Sequence, residues 1–337
     1  MTQASFSPAW WLPGPNLQTL WGKFMRPRLP LNLRLERLDT PDEDFLDLYH
    51  LTGDPGAPLL VLLHGLEGSL RSHYIHGLLE QASSRGWHAA VLIFRSCGDS
   101  LNRTPRFYHS GETGDATFAI DHLSLSYHET ELILAGVSLG GNVLLKYLGE
   151  RGEDVSPRIR AAAAVSVPYD LARAADYIDR GFSKVYQRSF IQSLQAKAIA
   201  KLEQFPDLVP RENIRSIRTM RDFDNSITAP LHGFRDADDY YSKSSAIKWL
   251  HGIRVETLLL SAADDPFLPP QVLDDVRIEA RGNPFLQLEF TPTGGHVGFV
   301  GGGNPFRPSY YMESRVGDFL AGHIVRSNSV IHNGGHS

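Results

Sequence analysis

Residues 31–38 and 45–51 alternate apolar and polar side chains, a period of two that predicts an exposed opening hairpin. Residues 59–63 break the alternation. Leu59-Leu60-Val61-Leu62-Leu63 is apolar at every position and ends at His64-Gly65, which predicts a strand covered on both faces. Residues 72–85 are amphipathic at helical spacing, 87–94 form the next strand pattern and 114–126 a helix, and 131–136 and 161–167 are further strands. Strands alternating with helices predict an α/β fold: a mostly parallel sheet flanked by helices.

Beyond residue 167 the rhythm changes. Residues 168–251 hold helical patterns at 171–179 and 183–205, a polar stretch and no buried strand; strand patterns resume at 255–261 and 286–290. This predicts a discontinuous core, 1–167 and 252–326, with a helical cap inserted at 168–251 and a polar, flexible tail at 327–337.

Composition narrows the reading further. A chain of 337 residues suffices for one large α/β domain with an insertion. The net charge of -5, without a basic tract interleaved with aromatics, argues against a nucleic-acid partner. The single cysteine, Cys97, excludes an intramolecular disulfide or a cysteine-rich metal site and suits a reducing cytoplasm. No basic and apolar leader opens the sequence, and no apolar stretch approaches the ~20 residues of a membrane span. Trp10, Trp11 and Trp21 are expected to pack on the body, with peripheral lipid contact as the alternative.

The strongest chemical signal is Gly136-Val137-Ser138-Leu139-Gly140, between the strand at 131–136 and a helical stretch. A serine on a sharp strand-to-helix turn has strained backbone angles, and glycines two residues to either side are expected to clear the opposite limb of the turn. Gly141 is expected to let the helix approach the sheet. With 30 glycines in the chain, roughly 0.2 such patterns arise by chance, so the serine needs partners to mean anything.

Partners follow in the order this topology requires, acid then histidine, each after a later strand. Ala263-Asp264-Asp265-Pro266 follows one strand, and Thr293-Gly294-Gly295-His296 follows the next. Asp265 is the expected acid, with Asp264 a rival in the neighbouring register, and His296 is the expected base for Ser138. Oxyanion donors are expected from the Leu139 N–H and from Leu66, in the loop His64-Gly65-Leu66-Glu67-Gly68, with His64 bracing that loop. Cys97 reads as a packing residue. His73 and His76 lack a completing ligand, so no metal is expected, and Gly294–Gly303 is not a nucleotide loop, so no cofactor is expected either.

The chain resembles the YheT family of α/β-hydrolases from its opening to its last helix. Pro13–Trp21, His64–Ser69 and Phe94–Gly98 are family-like, and the stretches Arg106–Asp115 and Phe223–Phe234 carry the most specific similarity. Gly14-Pro15-Asn16 departs from the Asn-Pro-His that relatives tend to have. The resemblance implies a Ser138–Asp265–His296 charge relay and esterase or acylglycerol-lipase-like activity on a small-molecule ester, without metal or cofactor. An amidase or peptidase using the same triad, and a non-catalytic binding protein on the same fold, are the competing readings.

Overall fold

The apolar runs become strands of one eight-stranded sheet in the computed structural model, which describes residues 6–28 and 30–324. The expected tail at 327–337 lies outside the described residues. In chain order the elements begin with helix α1 (Pro15–Met25) and strands β1 (Arg34–Asp39), β2 (Phe45–Leu51) and β3 (Leu59–Leu63). Helix α2 (His73–Ser84), β4 (His88–Ile93), α3 (Thr113–Ser126), β5 (Leu132–Val137), α4 (Leu139–Arg151) and β6 (Ile159–Val165) follow.

Between β6 and the next strand the described chain is helical. It comprises α5 (Leu171–Ile178), α6 (Ser183–Gln204), α7 (Arg211–Ser216), α8 (Met220–Phe223), a π-helical turn (Asp224–Thr228), α9 (Ala229–Leu231), α10 (Ala237–Ser244) and a 3-10 segment (Ala246–Gly252). Strand β7 (Glu256–Ala262), α11 (Gln271–Glu279), β8 (Leu286–Thr291), the short strands β9 (Val300–Gly301) and β10 (Ser309–Tyr310), and α12 (Tyr311–Ala321) complete the elements of the described residues. Among the described residues no helix is long and apolar enough to cross a membrane.

The strand order is β1-β2-β4-β3-β5-β6-β7-β8, antiparallel from β1 through β4 and parallel from β4 onward. Successive side chains leave a strand on opposite faces. Thus Leu59, Val61 and Leu63 join the core under α3 and α4, whereas Leu60 and Leu62 join the one under α2 and α12. Strand β6 carries Ala161–Ala164, and these small side chains let α4 approach from one side and α12 from the other.

The hairpin expected to be exposed is only half so. Strand β1 is largely exposed, but β2 is buried because it also pairs with β4. Its polar Asp47 is accommodated by Arg37, whose Nε and Nη2 donate to the two carboxylate oxygens at 2.7 and 2.9 Å. The last turns before β7 rest directly on α4. Asn142 Nδ2 donates to the carbonyls of Ser110 and Ser244, both at 2.7 Å, and Asn142 Oδ1 accepts from Ala246 N at 2.9 Å.

Candidate active site

Ser138 stands between β5 and α4 with φ 55° and ψ −121°, a left-handed backbone that a non-glycine residue adopts at a cost. Its N–H donates to Val165 O at 2.8 Å, which ties the turn to β6. A Cβ on Gly136 would lie 2.4 Å from Gly140 O, so this glycine clears the opposite limb of the turn as expected. The role expected of Gly140 is different in the structure. Its Cβ would lie 2.4 Å from the carbonyl oxygens of both Leu63 and His64, so it admits the end of β3 rather than the other limb. That approach brings the loop after β3 against Ser138. A Cβ on Gly141 would lie 2.7 Å from Val167 Cγ2, consistent with close packing of α4.

His296 Nε2 lies 3.0 Å from Ser138 Oγ, and His296 Nδ1 lies 2.8 Å from Asp265 Oδ2. The other Asp265 oxygen accepts from Phe267 N at 2.8 Å, and the Phe267 ring covers the imidazole with centroids 4.1 Å apart. Asp264 points elsewhere: its Oδ1 accepts from Gly295 N at 2.9 Å. Burial raises its pKa above the usual carboxylate value. The two neighbouring acids thus have different geometries, one facing the imidazole and the other its loop.

The histidine loop is strained at two non-glycine residues, with φ of 58° at Val297 and 45° at Phe299. Contacts from three directions hold it. Val297 N donates to Ser166 Oγ at 3.0 Å, His296 N donates to Thr19 Oγ1 at 2.9 Å, and the Gln18 side chain clasps Val300. Gln18 Nε2 donates to Val300 O at 3.0 Å while Gln18 Oε1 accepts from Val300 N at 2.7 Å. Helix α1 therefore buttresses the loop, a role that the Pro-rich opening did not suggest. Trp11 packs as expected, its ring against Trp21 with centroids 4.7 Å apart and its Nε1 donating to Gly302 O at 3.1 Å, whereas Trp10 stays 78% exposed and meets the body through Nε1, which donates to Gly303 O at 3.0 Å.

In the loop after β3, Gly65 N donates to Tyr74 OH at 2.9 Å, Glu67 N to Tyr108 OH at 2.7 Å and Gly68 N to Gly65 O at 3.0 Å. Leu66 N–H takes part in none of these bonds. Leu139 begins α4, so no helical carbonyl lies behind its N–H. Buried His64 braces this loop. Its Nε2 accepts from Phe94 N at 3.1 Å, which leaves Nδ1 to donate to Gly65 O at 2.8 Å, and burial pushes its pKa down to about 4.

A cleft of about 570 Å³ opens over Ser138. Of the insertion's apolar residues that could line it, Leu171, Ile178, Tyr186 and Phe190 do so, whereas Phe182 and Val185 are exposed and Tyr177 does not line it. Sequence reasoning missed Lys197 on α6, whose Nζ donates to Glu67 Oε1 at 2.6 Å. Cys97 lies beside it, Sγ 3.4 Å from Nζ, with burial pushing the thiol up to about 11; it is far from a reactive thiolate.

The His73 imidazole is packed on Gly22 of α1, and burial pushes it down to about 3. Ligand atoms of His109, Glu112 and His232 gather within 4.8 Å of one another. Two of the three are committed within the protein. Gly111 N donates to His109 Nδ1 at 3.1 Å, which puts the ring proton on Nε2, and Arg106 is hydrogen-bonded to Glu112.

A family profile described as the alpha/beta hydrolase fold matches residues 58–302. The Escherichia coli (strain K12) protein YheT is 38% identical over 96% of this chain and 95% of its own length. The monoacylglycerol lipase of Saccharomyces cerevisiae is 31% identical over 74% of this chain and 56% of its own length. Phospholipase ABHD3 of Mus musculus is 28% identical over 94% and 78%. Among solved structures, the Pyrococcus furiosus esterase Pf2001 superposes with a TM-score of 0.59 at 17% identity, covering 88% of this chain and 96% of that one.

Proposed function

The chain belongs to the α/β-hydrolase family as a YheT-like member and is a carboxylic ester hydrolase, and on that premise we propose that Ser138, His296 and Asp265 form its catalytic triad. The observation that carries the proposal is the line of contacts from Ser138 Oγ through the imidazole to Asp265, at 3.0 and 2.8 Å. His296 Nε2 takes the serine proton as Oγ attacks the acyl carbonyl. The negative charge that develops on the carbonyl oxygen is met by the N–H groups of Leu66 and Leu139. Collapse of the adduct expels the alcohol, which receives the proton from His296, and leaves an acyl group on Ser138. Water, deprotonated by the same nitrogen, attacks that ester and frees the acid. Asp265 holds the proton of the resting imidazole on Nδ1 and stabilises the imidazolium.

The insertion at 168–251 acts as a cap over the core of 1–167 and 252–326, its final turns seated on α4. Apolar residues of α5 and α6 in the cleft favour esters or acylglycerols of short to medium acyl chain. The single Cys97 fits a cytoplasmic enzyme.

Labelling with a fluorophosphonate tests this reading. The expected result is stoichiometric labelling of the parent and none of Ser138→Ala at unchanged thermal stability. Labelling of another serine would overturn the triad. A parallel panel of matched esters and amides decides between esterase and amidase, with esters expected to be the better substrates.

A further inference from the structure

The mouth of the cleft carries a surface that the chemistry does not require. Leu20 and Lys23 of α1 line the cleft, and Leu17 and Phe24 flank Leu20 three residues before and four after, on the same side of the helix. Leu17 is 46% exposed and Phe24 69%. Across the mouth, the start of α6 exposes Phe182 and Val185. The two elements form one rim: Tyr186 OH donates to Asn16 Oδ1 at 3.0 Å, and the Tyr186 ring packs edge-on against Phe182 with centroids 5.8 Å apart. Large apolar side chains gathered at the opening of a cleft mark a contact surface.

Charge selects the occupant. Lys23, Arg28 and Arg71 all line the mouth, and none of them takes part in an ion pair among the described residues. The chain as a whole carries a net charge of -5, so this rim runs against the charge of the protein. Apolar residues set among unpaired cations beside an opening match a surface that is apolar beneath and anionic at its face.

We propose that this rim docks the enzyme on an anionic lipid surface, so that the cleft opens onto the membrane interface and draws its ester from there. The docking surface stands on its own geometry. That its cargo is a lipid ester rests on the hydrolase reading above.

Sedimentation of the full chain with sucrose-loaded vesicles tests the proposal, comparing phosphatidylcholine alone with phosphatidylcholine containing a quarter phosphatidylglycerol. The parent is expected to pellet with the anionic vesicles and only weakly with the neutral ones. Lys23→Glu with Arg28→Glu should weaken anionic binding on the order of 30-fold. Leu17→Ser with Phe24→Ser should weaken it on the order of 10-fold or more while hydrolysis of a water-soluble p-nitrophenyl ester is unchanged. Parent binding that is absent, or indifferent to lipid charge and to both double variants, overturns the docking proposal. So does light scattering in which the parent is a dimer and the Leu17/Phe24 variant a monomer, for then the rim joins two copies. Vesicle binding with no ester hydrolysis by the parent would instead strike at the hydrolase reading and leave the docking intact.

Discussion

Lys197 Nζ lies 2.6 Å from Glu67 Oε1, and this largely buried ion pair fastens α6 to the loop that carries Leu66. Glu67 itself has a φ of 53°, so the loop is held in a conformation that it would not keep unaided. Tyr108 adds to the clasp, accepting from Glu67 N and donating to Glu67 Oε1 at 2.9 Å. The helix above the cleft and the expected oxyanion donor are therefore mechanically joined.

Removing one partner of such a pair leaves a buried charge without compensation, which costs more than removing both. Lys197→Met is expected to lower kcat/KM roughly 10-fold or more, and Lys197→Met combined with Glu67→Gln to recover most of the loss. Steady-state kinetics on a p-nitrophenyl ester, run as a double-mutant cycle, reads the coupling. Strictly additive losses would detach the ion pair from the site.

The adjacent acids should separate cleanly. An amide at the position that orients a triad histidine can hold the wrong tautomer, at ~10⁴ in turnover in a serine protease. Asp265→Asn is expected to lose on the order of 10³ or more in kcat. Asp264→Asn keeps an oxygen to accept from Gly295 N, and its loss is expected to be about 10-fold or less. A reversed ranking would make Asp264 the acid.

Gln18→Leu tests the buttress. It would strip two hydrogen bonds from the Val300 backbone; Val300 O keeps Ala9 N as a donor at 2.9 Å, but the buried Val300 N is left unpaired, which costs about 1–3 kcal/mol. Unfolding free energy is expected to fall by about 2 kcal/mol, with a drop in kcat as His296 loses its alignment. Urea denaturation and kinetics on the same preparation check both, and a stable variant of full activity would reduce α1 to packing.

Acid should destabilise the fold before the ordinary carboxylates titrate. Burial holds His64, His73 and His232 at about 4, 3 and 4 in the folded protein, against 6.5 for a free imidazole. Below pH 6.5 the unfolded chain therefore binds protons that the folded one refuses, and stability falls with pH towards 4. Asp224, which burial raises to about 6, works in the opposite sense: its proton favours the fold, and that contribution is lost as pH rises through 6. Near pH 5 these three histidines outweigh the one carboxyl, so acid is expected to lower the unfolding free energy. Urea midpoints at pH 7, 6 and 5 measure it. A flat profile would mean that these groups are solvated.

The sheet was legible where apolar residues are continuous, as in Leu59–Leu63, because only a strand covered on both faces tolerates such a run. Strand β2 was misjudged because alternation records side-chain polarity, and the polarity of Asp47 is answered by Arg37 on a neighbouring strand. Ser138, Asp265 and His296 could be nominated because their chain order follows from the order of the strands. Gln18, Thr19 and Lys197 could not, since each acts through a partner distant in sequence that no local pattern identifies. Pro13–Trp21 did carry a signal, in its family-like residues, but nothing local said which loop that segment would meet.

The clasp between Gln18 and Val300 spans 282 positions of the chain. Closing so long a loop is entropically unfavourable until most of the structure between its ends exists, and synthesis delivers the first partner long before the second. His296 can therefore be aligned only after Val300 has been synthesised and has met Gln18. A chain cut short of Val300 would hold the proposed nucleophile, Ser138, yet is expected to remain inert, and in refolding the return of hydrolysis should trail the return of helix and sheet.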